Sequence, residues 1–259
     1  MTTPTVRLLE AQVADAGRFR QALTPAEKAR AGRYRQAADR DRSTVSSGLL
    51  RQAAGGGVGR FCRRCGKLGD HGQPVPLDGD GRRVAGMSLS AAHSDRAVLV
   101  AACSHALVGI DLEALALAKG WSGADREAFD QVALSDHERE SLAVLSTECA
   151  DGARLRAWVR KEAVLKATGL GLAVPPRGLE FSDAAPDAGA AGAVLRSWPA
   201  ELDPFCSGPV AVVDFAPRAP GYVAAVAVLG ASRCAIVPEA VSDPIPLASN
   251  PIPLPLEAL

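Results

Sequence analysis

The chain is 259 residues long and carries 29 basic against 29 acidic side chains, so no overall charge bias points it toward nucleic acid or an anionic membrane surface. Its longest apolar stretch, "YVAAVAVLGA", is too short to span a bilayer, and no basic head with an apolar run marks a secretory leader. The expectation is a cytoplasmic monomer with neither nucleic acid nor membrane as partner.

In chain order, the first clear signal is "LTPAEKARA". Thr24 caps a helix and Glu27, three residues on, bonds back to it. A second helix is predicted from Asp39 to Ala53. "CRRCG" followed by "KLGDHG" then offers Cys62, Cys65 and His71 as three metal ligands, whereas a closed structural zinc site takes four and no second cysteine pair follows. The other cysteines are scattered, which fits reduced thiols better than a disulfide framework. "RAVLVAACS", residues 96–104, reads as a buried strand, and "VGIDLE" as another. "LSDHERESL" repeats the capping signature with Ser135 and Glu138. A helix is predicted from Leu155 to Thr168, a flexible loop over 182–195 and a buried strand over 221–230. Beyond Gly230, proline every few residues excludes helix and central strand, which predicts an extended appendage.

The two capped helical stretches, each followed by a longer helix and an alanine- and valine-rich strand, form a faint internal repeat. It predicts an α+β fold of two similar α/β lobes related by pseudo-two-fold symmetry, with a ligand cleft at the seam. The expected division is 1–109, 110–230 and a proline-rich tail, 231–259.

The chemistry concentrates in two places. In "VGIDLE" the side chains alternate, so Asp111 and Glu113 share one strand face while Ile110 and Leu112 take the other. Two adjacent carboxylates repel unless a cation sits between them. In "RAWVRKEAVLK" the helical period puts Leu155, Trp158, Val159 and Leu165 on one arc, with Arg156, Arg160 and Val164 elsewhere. Glu162 and Lys166 fall on that apolar arc, one turn apart, where a carboxylate needs a cation or strong donors. Three acids and a lysine are a donor set for Mg²⁺ bound to phosphate: Asp111, Glu113 and Glu162 as metal ligands, Lys166 as a phosphate partner.

"VGIDLE" followed about forty-five residues later by "WVRKEAVLKATGLGL" closely resembles the paired signatures of the 4'-phosphopantetheinyl transferases, in their Sfp-type (surfactin-synthetase-activating) branch. The pattern is met by Gly109, Ile110, Asp111, Glu113, Trp158, Lys161, Glu162 and Lys166. "DHGQP" and "MSLSAAHSD" resemble two further family segments, so the resemblance covers residues 20–230. It implies Mg²⁺-dependent transfer of the phosphopantetheine arm of coenzyme A to a serine of an acyl or peptidyl carrier protein, with release of adenosine 3',5'-bisphosphate. The carriers implied are those of fatty-acid, polyketide or nonribosomal peptide synthesis. Glu162 and Lys166 are the implied catalytic residues, while Arg30, Arg42, Gln73, Ser90, His93 and Lys166 are the implied coenzyme A contacts. Two positions depart from the pattern: Ala91 stands where the family has His, with His93 two residues on, and Gln73 replaces the family lysine. The alternative is a non-catalytic module that binds coenzyme A or a carrier protein.

Overall fold

The apolar runs become the inner strands of two stacked sheets. A computed structural model describes residues 3–183, 192–205 and 208–243 of the chain. The strands are β1 (Thr5–Gln12), β2 (Gly57–Cys62), β3 (Lys67–Gly69), β4 (Gln73–Leu77), β5 (Met87–Ser94), β6 (Ala97–Ser104), β7 (Leu107–Ala114), β8 (Glu180–Asp183), β9 (Gly192–Ser197), β10 (Val210–Phe215), β11 (Tyr222–Leu229) and β12 (Ala235–Glu239). The α-helices are α1 (Ala16–Phe19), α2 (Pro25–Gly32), α3 (Ala37–Ala54), α4 (Gly123–Ala133), α5 (Asp136–Leu142) and α6 (Thr147–Thr168).

One sheet runs β12-β1-β6-β5 and the other β7-β11-β10-β9-β8, with a small third sheet β3-β2-β4 beside them. Strand alternation builds the core. Val6, Leu8, Leu99 and Ala101 of the first sheet pack with Val108, Ile110, Leu112 and Val226 of the second in one apolar core. On the outer faces, Leu9, Val98 and Val100 pack on Val45, Leu49 and Leu50 of α3. Ala225 and Ala227 pack on Val159, Ala163 and Val164 of α6. The result is an α+β fold in four layers, helix, sheet, sheet, helix, with α3 outside the first sheet and α6 outside the second. Among the described residues no helix is long and apolar enough to cross a membrane.

The two sheets meet where edge strands β5 and β7 run together. Serine hydroxyls stitch this seam in place of a backbone ladder: Ser88, Ser90 and Ser94 accept the amides of Val108, Ile110 and Ala114, each at 3.1 Å. Serines spaced two or four apart share one strand face, so a single run of β5 satisfies alternate amides on the edge of β7.

Several expectations change. The division between 109 and 110 falls inside β7, which begins at Leu107. The segment after Gly230 is not a free appendage at its start, because Ala235–Glu239 lies parallel beside β1. Pro238 is tolerated there since β12 is an edge strand. Arg7 fixes Glu239 at 3.0 Å and Gln52 bonds the Ala240 carbonyl at 2.7 Å. Of the loop expected over 182–195, residues 192–195 belong to β9 and 184–191 lie outside the described residues, as do 244–259. Finally, α6 starts at Thr147 and is walled on more than one side, so Arg160 and Val164, assigned off the apolar arc, are buried. Arg160 is accommodated by a bidentate bond to Asp214 of β10.

Candidate active site

The site begins with the crossing of β7 over α6. A Cβ on Gly109 would sit 1.8 Å from the Ala163 carbonyl oxygen and 2.6 Å from the Ala167 nitrogen, so only glycine lets strand and helix backbones touch here. That contact puts the Asp111 and Glu113 face of β7 against the Glu162 and Lys166 turn of α6. Asp111 and Glu162 are both buried, at 5% and 8% exposure.

Lys166 donates from Nζ to Asp111 Oδ1 at 2.6 Å. Asp111 Oδ2 and Glu162 Oε1 are buried with no hydrogen-bond partner. Glu113 accepts a 2.7 Å bond from Ser94 Oγ. Burial pushes the Asp111 carboxyl above its ordinary range, against the pull of Lys166. Burial also raises Glu113, opposed by its Ser94 bond. Glu162 is pushed up to about 7, by burial first and then by the Asp111 charge, with Lys166 opposing. This is the electrostatic state of a carboxylate cluster with too little positive charge. The three acids are not drawn together as tightly as metal ligands. Among the described residues, the one group of His, Cys, Asp or Glu whose ligand atoms all lie within 4.8 Å is Cys62, Cys65 and His71. The acids do fit a cation chemically, because two unpartnered buried carboxylate oxygens are hard donors of the kind Mg²⁺ takes.

Lys161, inside the same motif, stands apart from this cluster. It is fully buried, donates to the Ala133 carbonyl at 2.7 Å and pairs with Glu138. Glu138 also accepts the Ser135 amide at 2.9 Å, closing the capping box of α5, and the Phe181 amide at 3.2 Å. Lys161 therefore fastens α5 and β8 to α6. Trp158 packs on Phe129 at 5.7 Å between centroids, and Phe129 on Trp121 at 4.9 Å, which holds α4 against α6.

The residues expected around the nucleotide separate into three places. His93, on β5, keeps solvent access, yet its imidazole is held below the ordinary range by the protein around it and by the Lys166 and Arg42 cations. Arg42 bonds Asp39 at 2.5 Å and the Asp95 carbonyl at 2.7 Å. His93 thus feels the charges of both the acidic cluster and the start of α3. Ser90 points the other way, into the seam, where its hydroxyl is taken by Ile110. Arg30 lines a cavity of about 410 Å³ with Arg33, Tyr34, Arg60, Asp70 and Gly72. Its Nε is buried without a partner, and burial and Arg30 lower Arg60 to about 10. Gln73 follows this cavity and lies at the end of α6, where its Oε1 would stand 2.5 Å from a Cβ on Gly169.

Sequence reasoning missed Ser94, Arg33 and Arg60. The serines of "MSLSAAHS" were a signal for the first; an arginine closing a short helix or on a short strand carries none for the other two.

No curated protein matches the sequence. Among solved structures, the holo-[acyl-carrier-protein] synthase of Neisseria meningitidis is similar at 19% identity and a TM-score of 0.40, over 48% of this chain and 97% of that one. The Helicobacter pylori enzyme in complex with coenzyme A is similar at 18% identity and a TM-score of 0.39, over 48% and 99%. The Plasmodium yoelii synthase with ADP bound is similar at 12% identity and a TM-score of 0.41, over 48% and 95%. Residues 107–211, the stretch that runs from β7 through α6 and holds Asp111, Glu113, Glu162 and Lys166, match the family model of the 4'-phosphopantetheinyl transferase superfamily.

Proposed function

We propose that this chain transfers the 4'-phosphopantetheine arm of coenzyme A to a serine of an acyl or peptidyl carrier protein. The observation that carries the reading is the buried cluster of Asp111, Lys166 and Glu162, with one oxygen of each carboxylate unpartnered. Such orphaned charge is costly to the fold and persists where a ligand completes it. The family match over residues 107–211 supports the same chemistry.

Asp111, Glu113 and Glu162 would hold Mg²⁺, which when bound neutralises pyrophosphate oxygens. The carrier serine oxygen bonds to the β-phosphorus of coenzyme A, the pyrophosphate bridge breaks, and adenosine 3',5'-bisphosphate leaves. Lys166 turns its ammonium from Asp111 to the leaving phosphate and stabilises the charge that develops there. Glu162 accepts the serine proton, directly or through a water. The Arg30, Arg33 and Arg60 cavity and Arg42 supply the cations that the nucleotide phosphates require, with His93 as a hydrogen-bonding imidazole beside them. We place the chain in the Sfp-type branch because Trp158, Lys161, Glu162 and Lys166 follow that branch's spacing, and we assign it carriers of polyketide and nonribosomal peptide synthesis.

The test is incubation of the purified protein with Mg²⁺, coenzyme A and a panel of apo carrier domains. Carrier mass should rise by about 340 Da, the phosphopantetheine group of this phosphoryl transfer. Unchanged mass across the panel, with coenzyme A still bound, would leave a non-catalytic binding module instead.

A further inference from the structure

The β2–β3 hairpin carries a cluster that the proposed transfer does not use. Cys62 ends β2, and its carbonyl accepts the Gly66 amide at 2.8 Å, which closes a tight turn. Gly66 sits at φ 70°, the left-handed conformation that lets the chain reverse directly after Cys65. The reversal leaves both thiols on one side, and the chain beyond β3 returns His71 to meet them. Cys65 Sγ lies 3.5 Å from His71 Nε2, and one ligand atom from each of Cys62, Cys65 and His71 lies within 4.8 Å of the others.

The Cys65–His71 separation fits a particular ion. Tetrahedral zinc, with Zn–S near 2.3 Å and Zn–N near 2.0 Å, spaces its ligand atoms roughly 3.5–3.8 Å apart. Two thiolates and an imidazole also select a borderline-soft ion over Mg²⁺. The far side of the imidazole is prepared as well. His71 Nδ1 lies 3.2 Å from Asp70 Oδ1, the carboxylate backing that metal-bound histidines use to fix their tautomer. Asp70 in turn accepts a 2.7 Å bond from Arg33 through its other oxygen. The cluster is solvent-accessible, so water can complete the coordination, as in zinc sites with two cysteines and one histidine. The second cysteine pair missing from the sequence is not required.

We propose that Cys62 Sγ, Cys65 Sγ and His71 Nε2 bind one Zn²⁺, with a solvent molecule as fourth ligand and Asp70 as a positioning residue. Through Asp70 and Arg33 the ion braces the wall of the 410 Å³ cavity, which Asp70, Gly72 and Arg33 all line. The site stands independently of phosphopantetheine transfer.

The full-length protein is reduced, stripped with chelator, given Zn²⁺ alone, desalted and subjected to elemental analysis. About one zinc should stay per chain. Co²⁺ in its place should give thiolate-to-cobalt charge-transfer bands. A Cys62→Ser/Cys65→Ser variant should lose both signals while its melting temperature shows that it is folded, and His71→Ala should weaken them as a second check. Asp70→Asn should lower zinc affinity about 10–100-fold, measured by competition with a chromophoric chelator. Asp111→Asn should retain zinc in full, which separates this site from the proposed active site. No zinc held by the reduced protein, or equal zinc held without the two thiols, would overturn the proposal.

Discussion

Lys166 holds its ammonium 2.6 Å from one oxygen of Asp111, while the other oxygen of the same carboxylate is buried without a partner. A group placed only for stability would have both oxygens satisfied. Asp111→Asn should therefore separate function from folding. The amide removes a charge that burial already disfavours, so the melting temperature should hold or rise. Transfer to a carrier should fall by about 100-fold or more, the scale of losing one preorganised electrostatic contact. Carrier mass spectrometry beside a thermal melt reads both, and full activity in the variant would remove Asp111 from the site.

Gly109 and Ala163 make the backbone contact that brings the acids together. Gly109→Ala pushes a methyl into the Ala163 carbonyl at 1.8 Å, and neither partner is a flexible side chain that can yield. The strand must lift from the helix, at a cost of about 3 kcal/mol or more. The expected result in denaturant unfolding is a lower midpoint, with the remaining folded protein transferring poorly because Asp111 has moved away from Glu162. A variant as stable as the parent would show that the contact is looser than described.

The sequence exposed the site's strand and helix because both signals are local. Alternation in "VGIDLE" put Asp111 and Glu113 on one face, and Ile110 and Leu112 of the other face are in the inter-sheet core. Capping boxes at Thr24 and Ser135 are present in the structure because they need only residues three apart. What escaped depends on distant partners. Ser90 was assigned to the nucleotide, but its place across from Ile110 follows from how β5 meets β7, a pairing no local pattern encodes. The strand at Ala235–Glu239 escaped because its partner lies at the other end of the chain. Arg160 was placed off the apolar arc, and nothing near it in sequence announces Asp214.

Lys161 belongs to the motif by spacing and to the scaffold by contact. Removing it leaves Glu138 buried with its charge uncompensated, so Lys161→Met should cost about 3–5 kcal/mol. Replacing both, as Lys161→Met with Glu138→Leu, should recover part of that loss, since the desolvation of both charges disappears with them. The recovery is incomplete because Glu138 also serves the Ser135 and Phe181 amides. Equilibrium unfolding of the two single variants and the double gives the coupling. Equal losses for the double and the sum of the singles would contradict a direct pair.

Two reciprocal forks tie α4 to α6, and they set an acid limit on the fold. Arg126 grips Asp151 with two bonds of 2.8 Å, and Arg154 grips Asp130 with two more at the same length. The Arg126 bonds hold the Asp151 carboxyl below its usual range. A carboxyl whose folded pKa is depressed stabilises the protein fully above its unfolded pKa, near 3.9, and loses that contribution as pH falls through the folded value. The α4–α6 junction should thus hold through mildly acidic solution and give way only below about pH 4. Asp151→Asn should cost roughly 2 kcal/mol at pH 7, the scale of losing hydrogen bonds to a charged group, and should flatten the acid limb of the stability curve. Urea unfolding of parent and variant from pH 7 to pH 3 checks both, and parallel acid limbs would mean that Asp151 does not carry the linkage.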